Sequence, residues 1–258
     1  MKQVVTTILS NDPLSDSFYE MSFTWDIEQT PLPGQFCTIR VSPFSAPLLR
    51  RPFAFSDFDA TDKKASVIYK QRGPATGLLA AKREGDTLDI IGPLGSSFPL
   101  KDCEPLVCLA GGTGFGPMLF LARQSIEMGK KTSLIIGYKT LSQVPALASL
   151  SACDPIFTTD DGSAGHKGTP LDYLSSVNNV FGKNTTVCAC GPVPLMRGCA
   201  QWAKACAFPC FVSLEQVMAC GVGACMGCAV KVIDASKNGY ARACIEGPVF
   251  PAERVVWT

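Results

Sequence analysis

The first hundred residues alternate apolar and polar positions in short runs that proline and glycine interrupt. The alternation is clearest at residues 36–41, 66–69 and 87–91, with turn clusters at 31–34 and 92–95. Successive side chains of a strand point to opposite faces, so this pattern is typical of strands that bury one face. Several short strands with such punctuation predict an antiparallel barrel or sandwich over residues 1–99.

The pattern changes at about residue 100. Residues 106–110 form a continuous apolar run, which is typical of a strand buried on both faces. A helix is predicted over 117–128, with Pro117 at its first position, and a second apolar strand over 133–137. Strand, helix and strand within about 30 residues indicate a βαβ unit.

A further strand is predicted over 186–190 and a helix over about 195–205. Residues 100–212 are therefore predicted to form a doubly wound α/β domain. Residues 213–258 show little helical periodicity and are predicted to form a small C-terminal segment. The chain is expected to be a multi-domain α+β protein built from these three parts.

Composition excludes several classes of protein. The 23 basic and 22 acidic residues give a net charge of +1, so no basic field would attract nucleic acid or an anionic membrane. Residues 105–122 carry no charge, but the glycines within the run favour strand, turn and helix over a membrane span. The single histidine, His166, leaves room for at most one histidine-based triad.

Cysteine is abundant, with 13 residues, and the number is odd. The N-terminal residues lack the apolar run of a secretory signal, so we expect reduced thiols in the cytoplasm rather than a disulfide scaffold. Most cysteines outside the motif described next are expected to be small core residues. Cys190 is the exception, because it precedes Gly191 and Pro192 at a strand's carboxyl end, where α/β sheets bind ligands.

Four cysteines have the spacing of a metal site. Cys220, Cys225 and Cys228 form C-x4-C-x2-C, and Cys244 follows. This is the spacing of plant-type [2Fe–2S] ligation, and the glycines between the cysteines would let backbone N–H groups point at the sulfurs. A structural zinc site and four buried apolar cysteines are the alternatives.

A glycine turn follows the strand at 106–110 and precedes the predicted helix. Gly111, Gly112, Thr113 and Gly114 would let the backbone approach a pyrophosphate at a helix N-terminus. A turn tightened only for packing is the alternative. The next strand is followed by Tyr138 and Lys139 rather than by an acidic residue, so the choice between NAD and NADP is weakly determined.

The first part carries a second candidate cofactor site. Residues 50–56 read Arg-Arg-Pro-Phe-Ala-Phe-Ser, and residues 68–70 and 73–76 add an aromatic, a lysine and a Gly/Thr loop. Arginine beside extended backbone could hold a flavin's pyrophosphate. A charged surface without a ligand is the alternative.

Together these motifs resemble the electron-transfer subunits of B-type dihydroorotate dehydrogenase, within the ferredoxin–NADP reductase superfamily. The resemblance spans nearly the whole chain, and it implies a flavin barrel, a nicotinamide domain and a [2Fe–2S] segment. It implies that FAD is lined by Arg51, Pro52, Phe53, Ala54, Ile68, Tyr69, Lys70, Ala75 and Thr76. The chain departs from the family at Ala54, where a hydroxyl residue is usual, and at Ala75, where glycine is usual.

The resemblance also implies the electron path. A partner subunit that contains FMN would oxidise dihydroorotate, and electrons would pass through [2Fe–2S] and FAD to NAD⁺, within a heterotetramer of two subunits of each kind. This chain would hold no catalytic residue for dihydroorotate. The alternatives are a reductase subunit of another redox complex and, in a different class, a zinc-stapled nucleotide-binding regulator.

Overall fold

The computed structural model describes residues 1–100, 105–146, 153–177, 181–233 and 239–257. Among these residues, the N-terminal part is a closed antiparallel barrel with strand order β1-β2-β5-β4-β3-β6. Its elements are β1 (Lys2–Pro13), β2 (Phe18–Thr24), β3 (Phe36–Arg40), β4 (Arg51–Asp59), β5 (Lys64–Lys70), α1 (Pro74–Ala80) and β6 (Thr87–Leu94). The structure confirms the barrel and adds the short helix α1, which the sequence pattern did not predict.

The two faces of β3 explain how the barrel meets the rest of the molecule. Cys37 and Ile39 point inward and pack in the barrel core. Phe36 packs instead in the core that the sheet shares with the C-terminal segment, and Thr38, two residues later, lies on the same outward face. One strand therefore contributes to both bodies.

The second part is a mainly parallel sheet with strand order β10-β9-β8-β7-β11-β12-β15. Its strands are β7 (Leu106–Gly111), β8 (Thr132–Tyr138), β9 (Ile156–Thr159), β10 (His166–Lys167), β11 (Thr186–Cys190), β12 (Cys210–Ser213) and β15 (Val249–Pro251). Helix α2 (Phe115–Glu127) covers one face, and α3 (Pro170–Ser176) and α4 (Val193–Ala205) cover the other. This is the predicted α/β part.

Strand β7 is buried along its whole length because helices lie on both faces. Cys108 packs on the α2 side with Met118, and Leu109 packs on the other side with Leu174. Helix α2 begins at Phe115 rather than at Pro117, because the 3₁₀ turn at Gly112–Gly114 leads directly into it. Pro117 is thus its third residue, where a backbone N–H has no intrahelical acceptor.

The C-terminal part both extends the sheet and forms a hairpin. Strand β15 pairs antiparallel with β12, so the last described residues complete the sheet. Strands β13 (Ala229–Lys231) and β14 (Tyr240–Arg242) form a separate two-stranded sheet. The boundaries at residues 99 and 212 stay a prediction. Among the described residues, no helix is long and apolar enough to cross a membrane.

Candidate cofactor sites

A cavity of about 250 Å³ opens where the barrel meets the sheet. Strands β4 and β5 form one wall, and Thr113 and Cys190 come from the sheet side. The chain that follows β12 closes the cavity. Of the residues expected to line a flavin, the cavity includes Pro52, Phe53, Ala54, Ile68, Tyr69 and Lys70.

Three of the expected flavin residues lie outside this lining. The Arg51 guanidinium donates to the carbonyl of Leu49. Ala75 is buried in α1. The Thr76 hydroxyl accepts from the backbone N–H groups of Arg72 and Gly73 at 2.9 and 3.2 Å, and so it organises the start of α1. Their contact with a flavin stays a prediction.

Tyr69 forms a rigid aromatic wall of the cavity. Its hydroxyl donates to Oδ1 of Asn11 at 2.8 Å, and its ring stacks on Tyr19 with the centroids 5.5 Å apart. Phe53 meets the same ring edge-on at 5.8 Å. Burial raises the pKa of Tyr69, so the phenol stays neutral. These contacts fix the ring before any ligand binds.

Two cations lie at the cavity. Lys70 was expected from the sequence, whereas Arg72 was not. The sequence could have indicated Arg72, because it lies two residues after Lys70 and alternate residues at the end of a strand share a face. Paired cations beside an aromatic wall suit a ligand that combines a flat ring with a diphosphate.

The glycine turn and the end of β11 pack directly against each other. A Cβ on Gly114 would overlap the Cys190 carbonyl, and one on Gly111 would lie 3.0 Å from Pro192. A Cβ on Gly191 would lie 2.9 Å from the carbonyl of Gly111. These three glycines therefore serve packing, which was the alternative interpretation of the turn, and the pyrophosphate interpretation stays a prediction.

Gly112 differs from its neighbours in the turn. Its φ is +56°, and a Cβ there would meet no atom within 4 Å. The backbone is thus open to a ligand at this residue, in a conformation that favours glycine. Nucleotide contacts by Gly111, Gly112, Thr113, Gly114, Gly191 and Pro192 stay a prediction.

Cys190 lies in a small polar cluster at the cavity. Burial raises the pKa of its thiol to about 12, and the charge of Glu215 adds to the effect. The Ser213 side chain hydrogen-bonds to the thiol. Thr113 Oγ1 donates to Oε1 of Glu215 at 2.8 Å. The neutral thiol of Cys190 and the carboxylate of Glu215 therefore line the same cavity. The hydrogen bond between Thr113 and Glu215 also joins the glycine turn to the C-terminal part.

The four motif cysteines come together in two pairs. The side chain of Cys225 hydrogen-bonds to Cys220, and that of Cys228 hydrogen-bonds to Cys244. The second pair forms because β13 follows Cys228 and β14 precedes Cys244, and Ala243 N–H donates to the Cys228 carbonyl at 3.0 Å. Cys225 is exposed, whereas Cys228 and Cys244 are buried.

Backbone N–H groups point at the sulfurs of this loop. Those of Val222, Cys225 and Ala224 hydrogen-bond to Cys220, and the first of them contributes most to lowering its pKa to about 6. The N–H of Gly227 donates to Sγ of Cys225 at 3.4 Å. Burial and the neighbouring Cys228 raise the pKa of Cys244 to about 12. The loop therefore stabilises negative charge on the Cys220 sulfur.

This donor set fits a two-iron cluster. Within the described parts of the chain, no three His, Cys, Asp or Glu side chains gather around a single-ion position. Two thiol pairs with amide donors match a group in which each iron takes two thiolates. Ligation by Cys220, Cys225, Cys228 and Cys244 stays a prediction.

Known proteins are similar to this chain both at the cysteine motif and over nearly its whole length. Residues 215–256 match the model of the iron-sulfur cluster binding domain of dihydroorotate dehydrogenase B. The electron transfer subunit of dihydroorotate dehydrogenase B (NAD(+)) from Caldanaerobacter subterraneus subsp. tengcongensis is 35% identical, over 97% of each chain. The subunit of the same description from Geobacillus kaustophilus is also 35% identical, over 97% of each chain. The chain belongs to this family of electron transfer subunits.

Solved structures agree with this membership. An NADH-dependent reduced ferredoxin–NADP oxidoreductase is 26% identical, with a TM-score of 0.86 over 98% of this chain and 90% of its own. A ferredoxin NADP⁺ reductase from Neisseria gonorrhoeae is 17% identical, with a TM-score of 0.67 over 80% of this chain and 92% of its own. The second likeness concerns the fold alone.

The remaining cysteines lie outside the cluster motif. Cys37, Cys108, Cys153, Cys188 and Cys199 are buried, as expected of core residues, and Cys206 and Cys210 are half-buried. Cys190, which was expected to lie at a ligand site, is also buried. Cys103 lies outside the described residues. The cavity also includes residues that were not predicted from the sequence as site residues: Phe36, Arg72, Pro117, Ser213, Leu214, Glu215, Gln216, Met218 and Pro248.

Proposed function

We propose that this chain carries electrons from the FMN of a dihydroorotate-oxidising subunit to NAD⁺, through [2Fe–2S] and FAD. One observation carries the proposal. Met218 lines the cavity between barrel and sheet, and Cys220 begins the cluster loop two residues later. A flavin in the cavity and a cluster in the loop would therefore be neighbours, as electron transfer between them requires.

The barrel residues would hold the FAD. Tyr69, Phe53 and Ile68 offer an apolar wall for its ring, and Lys70 and Arg72 offer charge for its diphosphate. Bound FAD exchanges a hydride's two electrons with a nicotinamide and single electrons with a cluster. Ala54 offers no hydroxyl to the ring, so the polar groups near the nicotinamide come from the sheet side.

Those sheet-side groups would orient the nicotinamide. The neutral Cys190 thiol packs without placing a charge beside the ring. Glu215 holds Thr113 in place and can accept a further N–H hydrogen bond from a carboxamide. The glycine turn leaves backbone at Gly112 open for the pyrophosphate.

The charges after β9 favour NAD over NADP. Asp160 N–H donates to the Tyr138 carbonyl and Asp161 N–H to the Lys139 carbonyl, at 3.1 and 3.4 Å. The two acidic residues thus lie beside the end of β8 and would repel a 2′-phosphate, which offsets the attraction of Lys139. We expect a higher kcat/KM for NADH than for NADPH, and a preference for NADPH would contradict this assignment.

The partner would dock over the cluster loop. Val217, which precedes the cluster loop, is 83% exposed, and Met226, which directly follows the exposed Cys225, is 52% exposed. Exposed apolar side chains near the point where electrons would enter this chain suit a protein partner that excludes water there. Two copies of each subunit would form the complex, in the cytoplasm, where the thiols stay reduced.

Val217→Asp tests this docking surface. We expect it to weaken complex formation, measured by light scattering coupled to gel filtration, without loss of FAD or cluster. Val5, on the barrel strand β1, is 73% exposed and provides the matched control as Val5→Asp. Equal losses in both variants, or none in either, would contradict the assignment. The mass of the wild-type complex reports the stoichiometry.

Reconstitution tests the function itself. The isolated chain should reduce an artificial acceptor from NADH, and extraction of FAD should abolish that activity. The chain should not oxidise dihydroorotate alone, whereas its complex with the FMN-containing catalytic subunit should reduce NAD⁺ with dihydroorotate. A complex that forms, retains NADH-dependent activity and yet transfers nothing from dihydroorotate would refute the proposal.

A further inference from the structure

A buried hydroxyl on the outward face of β3 has no assigned role. Thr38 is 2% exposed, and its Oγ1 has no hydrogen-bond partner among the described residues. A buried hydroxyl without a partner is costly, because it has given up its bonds to water. The position therefore invites a partner that is not part of the protein chain.

Thr38 lies against the cluster loop. Its Cγ2 methyl is 2.8 Å from where a Cβ on Gly221 would stand, so the Thr38 side chain packs against the backbone at Gly221. Gly221 has φ +70° and directly follows Cys220. The hydroxyl is attached to the same carbon as this methyl, so it belongs to a side chain that packs against the residue directly after the first cysteine of the motif.

The same residue adjoins the flavin cavity. Thr38 pairs with Pro52 across β3 and β4, and Pro52 lines the cavity. Phe36, two positions earlier on the same face of β3, also lines it. Thr38 thus stands between the place expected for FAD and the place expected for the cluster.

We propose that the Thr38 hydroxyl donates a hydrogen bond to a sulfur atom of the [2Fe–2S] cluster and thereby raises its reduction potential. The inference rests on the cluster assignment made above. The backbone N–H of Gly227 already donates to Sγ of Cys225 in the loop, and Thr38 adds a side-chain donor from the barrel. Such a bond stabilises the reduced, more negative cluster more than the oxidised one, so the potential rises. The barrel would in this way help to match the cluster to the flavin.

The test is a redox titration of the full chain, with the [2Fe–2S] spectrum as the readout. Thr38→Val keeps the shape and removes the hydroxyl, so we expect a cluster with a more negative midpoint potential. Thr38→Ser keeps the donor and should retain a potential close to that of the wild type. Ser56, a fully buried barrel hydroxyl that also lacks a partner among the described residues, is the control, and Ser56→Ala should leave the potential unchanged.

Each outcome decides the matter. An unchanged potential in Thr38→Val overturns the proposal while leaving the electron path intact. Should Thr38→Val assemble no cluster, a normal cluster in Thr38→Ser supports the hydroxyl's role, and loss in both variants shows that only packing matters. A wild-type protein without a [2Fe–2S] spectrum would overturn this inference and the proposed function together.

Discussion

The glycines of the turn after β7 have different physical roles, although the sequence shows them as one motif. Gly114 has an ordinary helical φ of −63°, but a side chain there would collide with backbone at Cys190. Gly112 has space around it and a left-handed φ. The first is required by packing and the second by conformation.

Alanine at each position should separate the two roles. Gly114→Ala should cost about 3 kcal/mol of unfolding free energy, because backbone cannot yield as a side-chain tip can. Gly112→Ala should cost about 1 kcal/mol, from the left-handed conformation alone. Urea unfolding of both variants measures this. Equal costs would mean that the glycine turn and the end of β11 can separate to admit a side chain at Gly114.

Cys37 gives the barrel a stability that depends on pH. Burial raises the pKa of its thiol to about 12, from an ordinary value near 9.0. The unfolded chain therefore loses this proton above about pH 9, whereas the folded protein keeps it, so stability falls as pH rises from 9 towards 12. The slope from one such group is about 1.4 kcal/mol per pH unit.

The variant Cys37→Ala removes this contribution. It should be less stable at pH 7, because it leaves a small cavity, yet its unfolding free energy should decline less steeply between pH 9 and 11. Urea denaturation across that range compares the two proteins. Identical slopes would show that Cys37 titrates normally.

At the scale of elements, the sequence predicted those that have a local pattern but not the pairing of strands that are distant in the chain. The strand predicted at 186–190 coincides with β11, and α4 begins two residues before its predicted start, because continuous apolar runs and helical periodicity are local features. Strand β15 pairs with β12 across about 40 residues, and no local pattern encodes that partner. Glu215 and Met218 reach the cavity because they follow β12, whose pairing with β11 no local pattern encodes either, so the sequence did not predict them.

One arginine of β14 links the hairpin to the cluster loop. Arg242 forms an ion pair with Glu246 at 2.7 Å and donates to the Gly223 carbonyl at 2.8 Å. It therefore ties the loop between Cys220 and Cys225 to the turn that follows Cys244.

Loss of that link should loosen the cluster rather than the whole fold. Arg242→Met should release iron to a chelator faster than the wild type, followed by the decay of the visible absorbance. Arg50 pairs with Asp89 on the barrel at the same 2.7 Å, so Arg50→Met is the control and should not change the rate. Similar rates in all three proteins would show that the link does not hold the loop.

At the scale of the whole molecule, the three parts meet around one small volume. In the proposed function the barrel would supply the wall for the flavin and the sheet the nicotinamide side, and the chain after β12 passes from the cavity into the cluster loop. The family could be inferred from sequence because its motifs are local. The cavity could not, since it exists only where the three parts touch.

The central claim is that electrons from the partner subunit enter this chain through the cluster, and Cys225→Ser in the assembled complex tests it most directly. Serine is a poorer ligand for iron than a thiolate, and Cys225 is the exposed member of the set, so the substitution should damage the cluster without disturbing the core. Cys210→Ser, at a half-buried cysteine outside the motif, is the control. Dihydroorotate-dependent reduction of NAD⁺ should fall by orders of magnitude in Cys225→Ser, while FAD content and NADH-dependent reduction of an artificial acceptor largely survive. Full retention of the dihydroorotate-dependent rate without a cluster would contradict the account.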